Sequence, residues 1–128
     1  MTIIYDLSKV PSHLVAQIHN SPKFTKWFSE FPKKLFNRDN NAKTVKGLKL
    51  GTSTDVLYLL SSNLSGYQLC AGEPLAKCGL PCLNTAGRGA MNSTQMSRLR
   101  KTLMFFQYRE EFLAMLKREV IQHIAYCK

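Results

Sequence analysis

The chain has 128 residues, 45% of them apolar, and a formal net charge of +10. That length supports one domain around one core, and that apolar fraction excludes disorder as the default state. The longest apolar stretches, at 56–60 and 103–106, are far too short to cross a bilayer, and a charge of this sign attracts polyanions, nucleic acid first among them.

Residues 1–6 carry neither the basic start nor the long apolar run of a signal peptide, so an intracellular protein is expected. Residues 1–42 read as short helices with breaks. Ser12 is placed to cap a helix over about 13–19, and Ser21-Pro22 supplies a second start, Ser at the cap and Pro at the first helical position. Phe24, Trp27, Phe28 and Phe31 follow at helical spacing as an apolar face, read as core, until Pro32 stops or kinks the helix. Lys23, Lys26, Lys33 and Lys34 are expected on its solvated side, and Asn37–Asn41 reads as a polar loop.

From Lys43 to Leu50 the sequence alternates partly, and Val56–Leu60 is an apolar run of strand length. With Gly51 between them these read as two strands, a small sheet around 44–60. The loop after Leu60 leads into three cysteines, Cys70, Cys78 and Cys82, spaced C-x7-C-x3-C and followed by Asn84-Thr-Ala-Gly-Arg-Gly89. Thiolates this close in a Gly- and Pro-containing loop are metal ligands, disulfide partners or packed thiols. A reducing compartment favours metal over a disulfide. Three thiolates are one short of a structural zinc set, whereas an iron–sulfur cluster held by three cysteines is chemically reasonable. Cys127, next to last, reads as a bystander.

The C-terminal third is a helical hairpin. Asn92 or Ser93 caps a helix to about Phe106, with Gln95 completing a capping box and Met96, Leu99, Leu103 and Phe106 on one face. After a break at Gln107-Tyr108 a second helix runs over about 109–126. Glu110 and Glu111 lie in its first turn, and Phe112, Leu116, Val120 and Ile124 recur every fourth residue. Arg88, Arg98, Lys101 and Arg109 surround this hairpin and are the candidate phosphate contacts, a sequence-blind mode of binding. His13, His19 and His123 share no spacing with one another or with the cysteines and read as surface or satisfied histidines. Ser61, Ser62 and Ser65 lack a nucleophile-elbow context. No acid–base pair or nucleophile with a supporting base is visible, so the reading leans away from an enzyme.

The ordered string Asn63-Leu-Ser-Gly-Tyr67, the three cysteines, Asn84–Gly89 and Arg98-Leu-Arg-Lys-Thr-Leu-Met-Phe-Phe106 resembles the gene-product-88-like family of bacteriophage proteins over about residues 47–121. The resemblance implies that Cys70, Cys78 and Cys82 are metal or iron–sulfur ligands. It also implies a chain shorter than the usual relatives, which continue through further strands.

The expectation is thus one α+β (or α/β) domain over 1–128. A variable helical segment at 1–42 precedes the family-like region 43–128, which holds a small sheet, a Cys-rich loop and a C-terminal hairpin. Its expected function is that of a phage-encoded basic protein in the host bacterial cytoplasm, holding an iron–sulfur cluster or zinc and acting on or near DNA or RNA. The alternative is a non-enzymatic counter-defence or host-takeover factor that binds a host or defence-system protein, with structural cysteines. No membrane is involved, and a homo-oligomer is compatible with either.

Overall fold

A computed structural model describes residues 3–38, 42–60, 65–67 and 92–127. Among them five helices accompany a two-stranded antiparallel sheet, so the α+β class holds. Cys70, Cys78, Cys82 and Arg88 lie outside the described residues.

Helix α1 spans Ser12–Asn20, with Pro11 rather than Ser12 at the cap position. The Pro11 carbonyl accepts from Leu14 and Val15 N–H, at 3.0 and 3.2 Å, which starts the helix one residue early. Helix α2, Pro22–Trp27, begins at Ser21-Pro22 as expected, although the Ser21 side chain makes no capping bond. It ends well before Pro32. Ser29 turns back and donates both its backbone N–H and its hydroxyl to the Lys26 carbonyl, at 3.1 and 2.7 Å, satisfying a group the helix end leaves open. Phe31 therefore leaves the helix, yet the aromatic set is core: Phe28 is buried, and Phe24, Trp27 and Phe31 pack against the buried cluster. Lys23, Lys26, Lys33 and Lys34 are exposed.

Two expectations for the middle of the chain need correction. Residues 42–49 are helix α3, Ala42–Lys49, and the polar segment at 37–41 begins inside a strand. Strand β1, Phe36–Arg38, pairs with β2, Asp55–Leu57, in the register Phe36↔Leu57, Asn37↔Val56, Arg38↔Asp55. Gly51 does not separate strands; it stops α3. Its φ is +87°, Thr52 N–H reaches back to the Gly47 carbonyl at 2.9 Å, and Gly51 N–H reaches Leu48 at 3.0 Å. This is the Schellman arrangement with glycine in the left-handed position. Lys46 and Lys49 in the last turn suit the negative helix end.

The hairpin matches its expectation closely: α4 spans Asn92–Gln107 and α5 spans Arg109–Cys127. Met96, Leu99, Leu103 and Met104 on α4, with Phe112 on α5, are buried together with Ile3, Tyr5, Val10, Leu14, Ile18, Leu35 and Leu60. The N-terminal segment thus shares this core. Asp6 and Gln107 exchange two hydrogen bonds of 2.7 Å, Tyr108 donates to the Ile4 carbonyl at 2.9 Å, and Arg100 donates to the Glu30 and Phe31 carbonyls. Gly66 explains one position of the Asn63–Tyr67 string. Its φ is +80°, and a Cβ there would collide with the Lys9 carbonyl.

The four-residue stripe on α5 does not stay on the core. Four residues advance a helix by about 400°, so each step of such a stripe rotates about 40° past the last. Phe112 is buried and Leu116 partly so, but Val120 and Ile124 are 43% and 53% exposed. The face that continues inward from Phe112 is Glu119 and His123, which turns toward the β1–β2 ribbon, with the exposed Tyr126 at its outer end against Arg38.

Candidate functional site

The register of the ribbon builds the first half of the site. Arg38 and Asp55 are directly opposite across the two strands, and Arg38 Nε donates to Asp55 Oδ1 at 3.0 Å. The face of α5 supplies the second half, since residues 119, 122, 123 and 126 lie three, four and seven positions apart. His123 Nδ1 is 3.1 Å from the second Asp55 oxygen, Oδ2. His123 Nε2 is 3.0 Å from Ser53 Oγ. Ser53 lies two residues ahead of Asp55, just before β2, and both side chains reach one imidazole. The Asp55 side chain is 7% exposed and that of His123 19%. Tyr126 closes the outer side, its ring under the Arg38 guanidinium at 4.7 Å and near-parallel to His123.

One turn earlier on α5, Glu119 is buried and receives the start of β1. Leu35 N–H is shared between its two oxygens at 3.0 and 2.9 Å, and Phe36 N–H adds a third bond at 3.2 Å. Between Glu119 and Asp55 opens a cleft of about 310 Å³, lined also by Lys34, Asn37, Arg38 and Gln122. The backbone-anchored carboxylate makes one wall of that cleft rigid.

The candidate phosphate contacts do not come together as the sequence suggested. Lys101 is buried, not on an open flank of α4. Burial pushes its ammonium below the ordinary lysine range, while the nearby Glu119 carboxylate pulls it back up. Arg98 is half-buried with its guanidinium 4.7 Å over the Tyr58 ring, and Arg109 is exposed, 4.5 Å over Phe105. Arg88 and the three clustered cysteines lie outside the described residues. Among the described residues no three His, Cys, Asp or Glu side chains converge as metal ligands would. Cys127 is exposed and free, and His13 and His19 are exposed.

The Ser53–His123–Asp55 set escaped sequence reading because nothing in the spacing points to it: its serine and its histidine are 70 residues apart. The available signals were weak. Ser53 and Asp55 alternate at strand spacing, and His123 recurs on the same helical face as Phe112.

No described helix is long and apolar enough to cross a membrane. No curated protein and no solved structure matches the chain. The family model described as gene product 88 does match, over residues 34–128, a wider span than the 47–121 of the motif string and one that takes in β1 and all of α5. This chain, with its ordered glycine, cysteine and arginine string and its C-terminal hairpin, belongs to the gene product 88 family of bacteriophage proteins.

Proposed function

We propose that this protein is a basic phage factor that holds a metal ion or iron–sulfur cluster through Cys70, Cys78 and Cys82 and acts on or beside nucleic acid in the host cytoplasm. The observation that carries the nucleic-acid part is how the fold uses its carboxylates. Of eight acidic residues, Asp55 and Glu119 are drawn inside against Arg38 and Lys101. These charges cancel in place, so the whole excess of +10 is left to the remaining surface with fewer acids to offset it. Arg98 in the middle of α4 and Arg109 at the start of α5, each laid over an aromatic ring, together with Arg88, are the phosphate contacts of this reading. Lys101, being buried, is not among them.

The cysteine part rests on three soft donors in one short loop, which also carries two prolines and two glycines between its ends. The test is anaerobic purification followed by metal and sulfide analysis, with binding of single-stranded DNA and RNA by fluorescence anisotropy. Stoichiometric iron and sulfide, or zinc, lost in Cys82→Ser supports the reading; protein without metal overturns that part. Binding that weakens steeply with salt supports the nucleic-acid part, and no binding at low salt overturns it.

One observation favours a second reading, a non-enzymatic factor that binds a host or defence-system protein. Leu113, Val120, Ile121 and Ile124, spaced i, i+7, i+8 and i+11 along α5, are each 43–57% exposed and form an apolar strip. A stable complex with a host protein that is lost in Ile121→Glu, with the metal content irrelevant, selects this alternative.

A further inference from the structure

We propose that Ser53 is a nucleophile, with His123 as its general base and Asp55 as the residue that orients the imidazole, and that the site hydrolyses activated carboxylic esters. This goes beyond the metal and nucleic-acid reading and stands whether or not that reading holds.

Three observations meet here. The two hydrogen bonds of the relay are on opposite nitrogens of one imidazole, Ser53 Oγ at 3.0 Å from Nε2 and Asp55 Oδ2 at 3.1 Å from Nδ1. With Nδ1–H donating to the carboxylate, Nε2 is left to accept the serine proton, which is the tautomer a general base requires. The orienting carboxylate is itself held, because its other oxygen accepts from Arg38 Nε at 3.0 Å, so the imidazole is set by a rigid strand pair and not by a mobile loop. Finally, the Asp55 side chain is 7% exposed and that of His123 19%, which shields the hydrogen bonds of the relay from competing water, while the neighbouring 310 Å³ cleft is lined by Asp55 and not by Ser53 or His123.

The chemistry balances without a cofactor. Ser53 Oγ attacks the ester carbonyl carbon while its proton passes to His123 Nε2. The C–O bond to the leaving alcohol breaks, and that alcohol takes the proton from Nε2. Water then attacks the acyl-serine, giving its proton to Nε2; the C–Oγ bond breaks and the proton returns to Ser53. Among the described residues the guanidinium at the relay, Arg38, is committed to Asp55 and stacked on Tyr126, whereas phosphoryl transfer needs cations that clamp the transferred group, so the reaction class is acyl transfer.

The experiment treats the full chain with diisopropyl fluorophosphate and follows intact mass and peptide mapping. A single label at Ser53 is expected, absent in Ser53→Ala and slowed about 100-fold in His123→Gln, which keeps a hydrogen-bonding side chain but no base. Thermal melts of both variants establish that they fold, and Asp55→Asn should slow labelling while Ser53 remains the labelled residue. Labelling of Ser53 no faster than of the exposed Ser12, or at an unchanged rate in a folded His123→Gln, overturns the relay. Turnover of p-nitrophenyl acetate, lost in Ser53→Ala, is the expected activity. Turnover that persists in a folded Ser53→Ala overturns the nucleophile, and turnover of bis-p-nitrophenyl phosphate in place of the acetate overturns the acyl assignment.

Discussion

Glu119 ties the last helix to the first strand. It accepts the Leu35 and Phe36 N–H groups and its charge favours the buried Lys101 ammonium, so its removal strands two backbone donors and leaves a buried cation without that support. Glu119→Ala should therefore lower the unfolding free energy by about 3 kcal/mol or more in urea titration; a loss near that of an ordinary surface change would show that the carboxylate is dispensable. Lys101 makes a pH prediction. Its folded pKa is lowered by burial from the ordinary 10.5, so over the window below 10.5 the unfolded chain binds more protons than the folded one. Stability contributed at this position must then rise as pH climbs toward 10.5, because deprotonation relieves the cost of a buried charge. Against Lys101→Met, the native protein should gain stability across that alkaline window, and parallel curves would contradict the assignment. Taking the difference cancels the opposing effect of Tyr5, whose buried phenol is raised above its usual value.

Helices α4 and α5 were legible at the scale of the element because their signals are local. A cap at Asn92 or Ser93, acids in the first turn of α5 and apolar residues within one or two turns of each other need no distant partner. The inward face of α5 was legible only for its first two turns. Beyond Leu116 the apolar residues drift off the core by about 40° per step, and the polar pair Glu119 and His123 takes the inward position. Phe112→Ala should accordingly cost about 3 kcal/mol or more, and Ile124→Ala should stay within about 0.5 kcal/mol. Equal costs in denaturant melts would restore the four-residue stripe. For α3 the misreading came from Gly51, whose left-handed φ serves a helix stop as readily as a strand break. Partial alternation from Lys43 to Leu50 fits both periods over so short a run.

For the whole molecule the charge of +10 predicts binding behaviour rather than shape. On a single strand each phosphate contact contributes about 0.7 to the slope of log affinity against log salt, so replacing Arg98 and Arg109 by alanine should flatten that slope by about 1.4. An unchanged slope would move the contacts elsewhere on the surface. The N-terminal residues ahead of the family match are part of the same packing. Ile3, Tyr5, Leu14 and Ile18 are buried in the cluster that holds Leu99 and Leu103, and Tyr5 sits edge-on to both Phe28 and Tyr108.

By itself the sequence determined the α+β class, the starts of α1, α2, α4 and α5 to within about a residue, the hairpin and, through an ordered string of glycines, cysteines and arginines, the family. Each of these is carried by neighbours in the chain, where backbone geometry alone decides which side chains share a turn. The tertiary structure decided which segment pairs with Asp55–Leu57, which face of α5 turns inward, that Lys101 is buried, and that Ser53, Asp55 and His123 meet. Those contacts join residues 17, 70 and 84 positions apart. Their partners are selected by burial and by the need to pair every buried donor and charge, conditions that exist only once the chain has closed on itself.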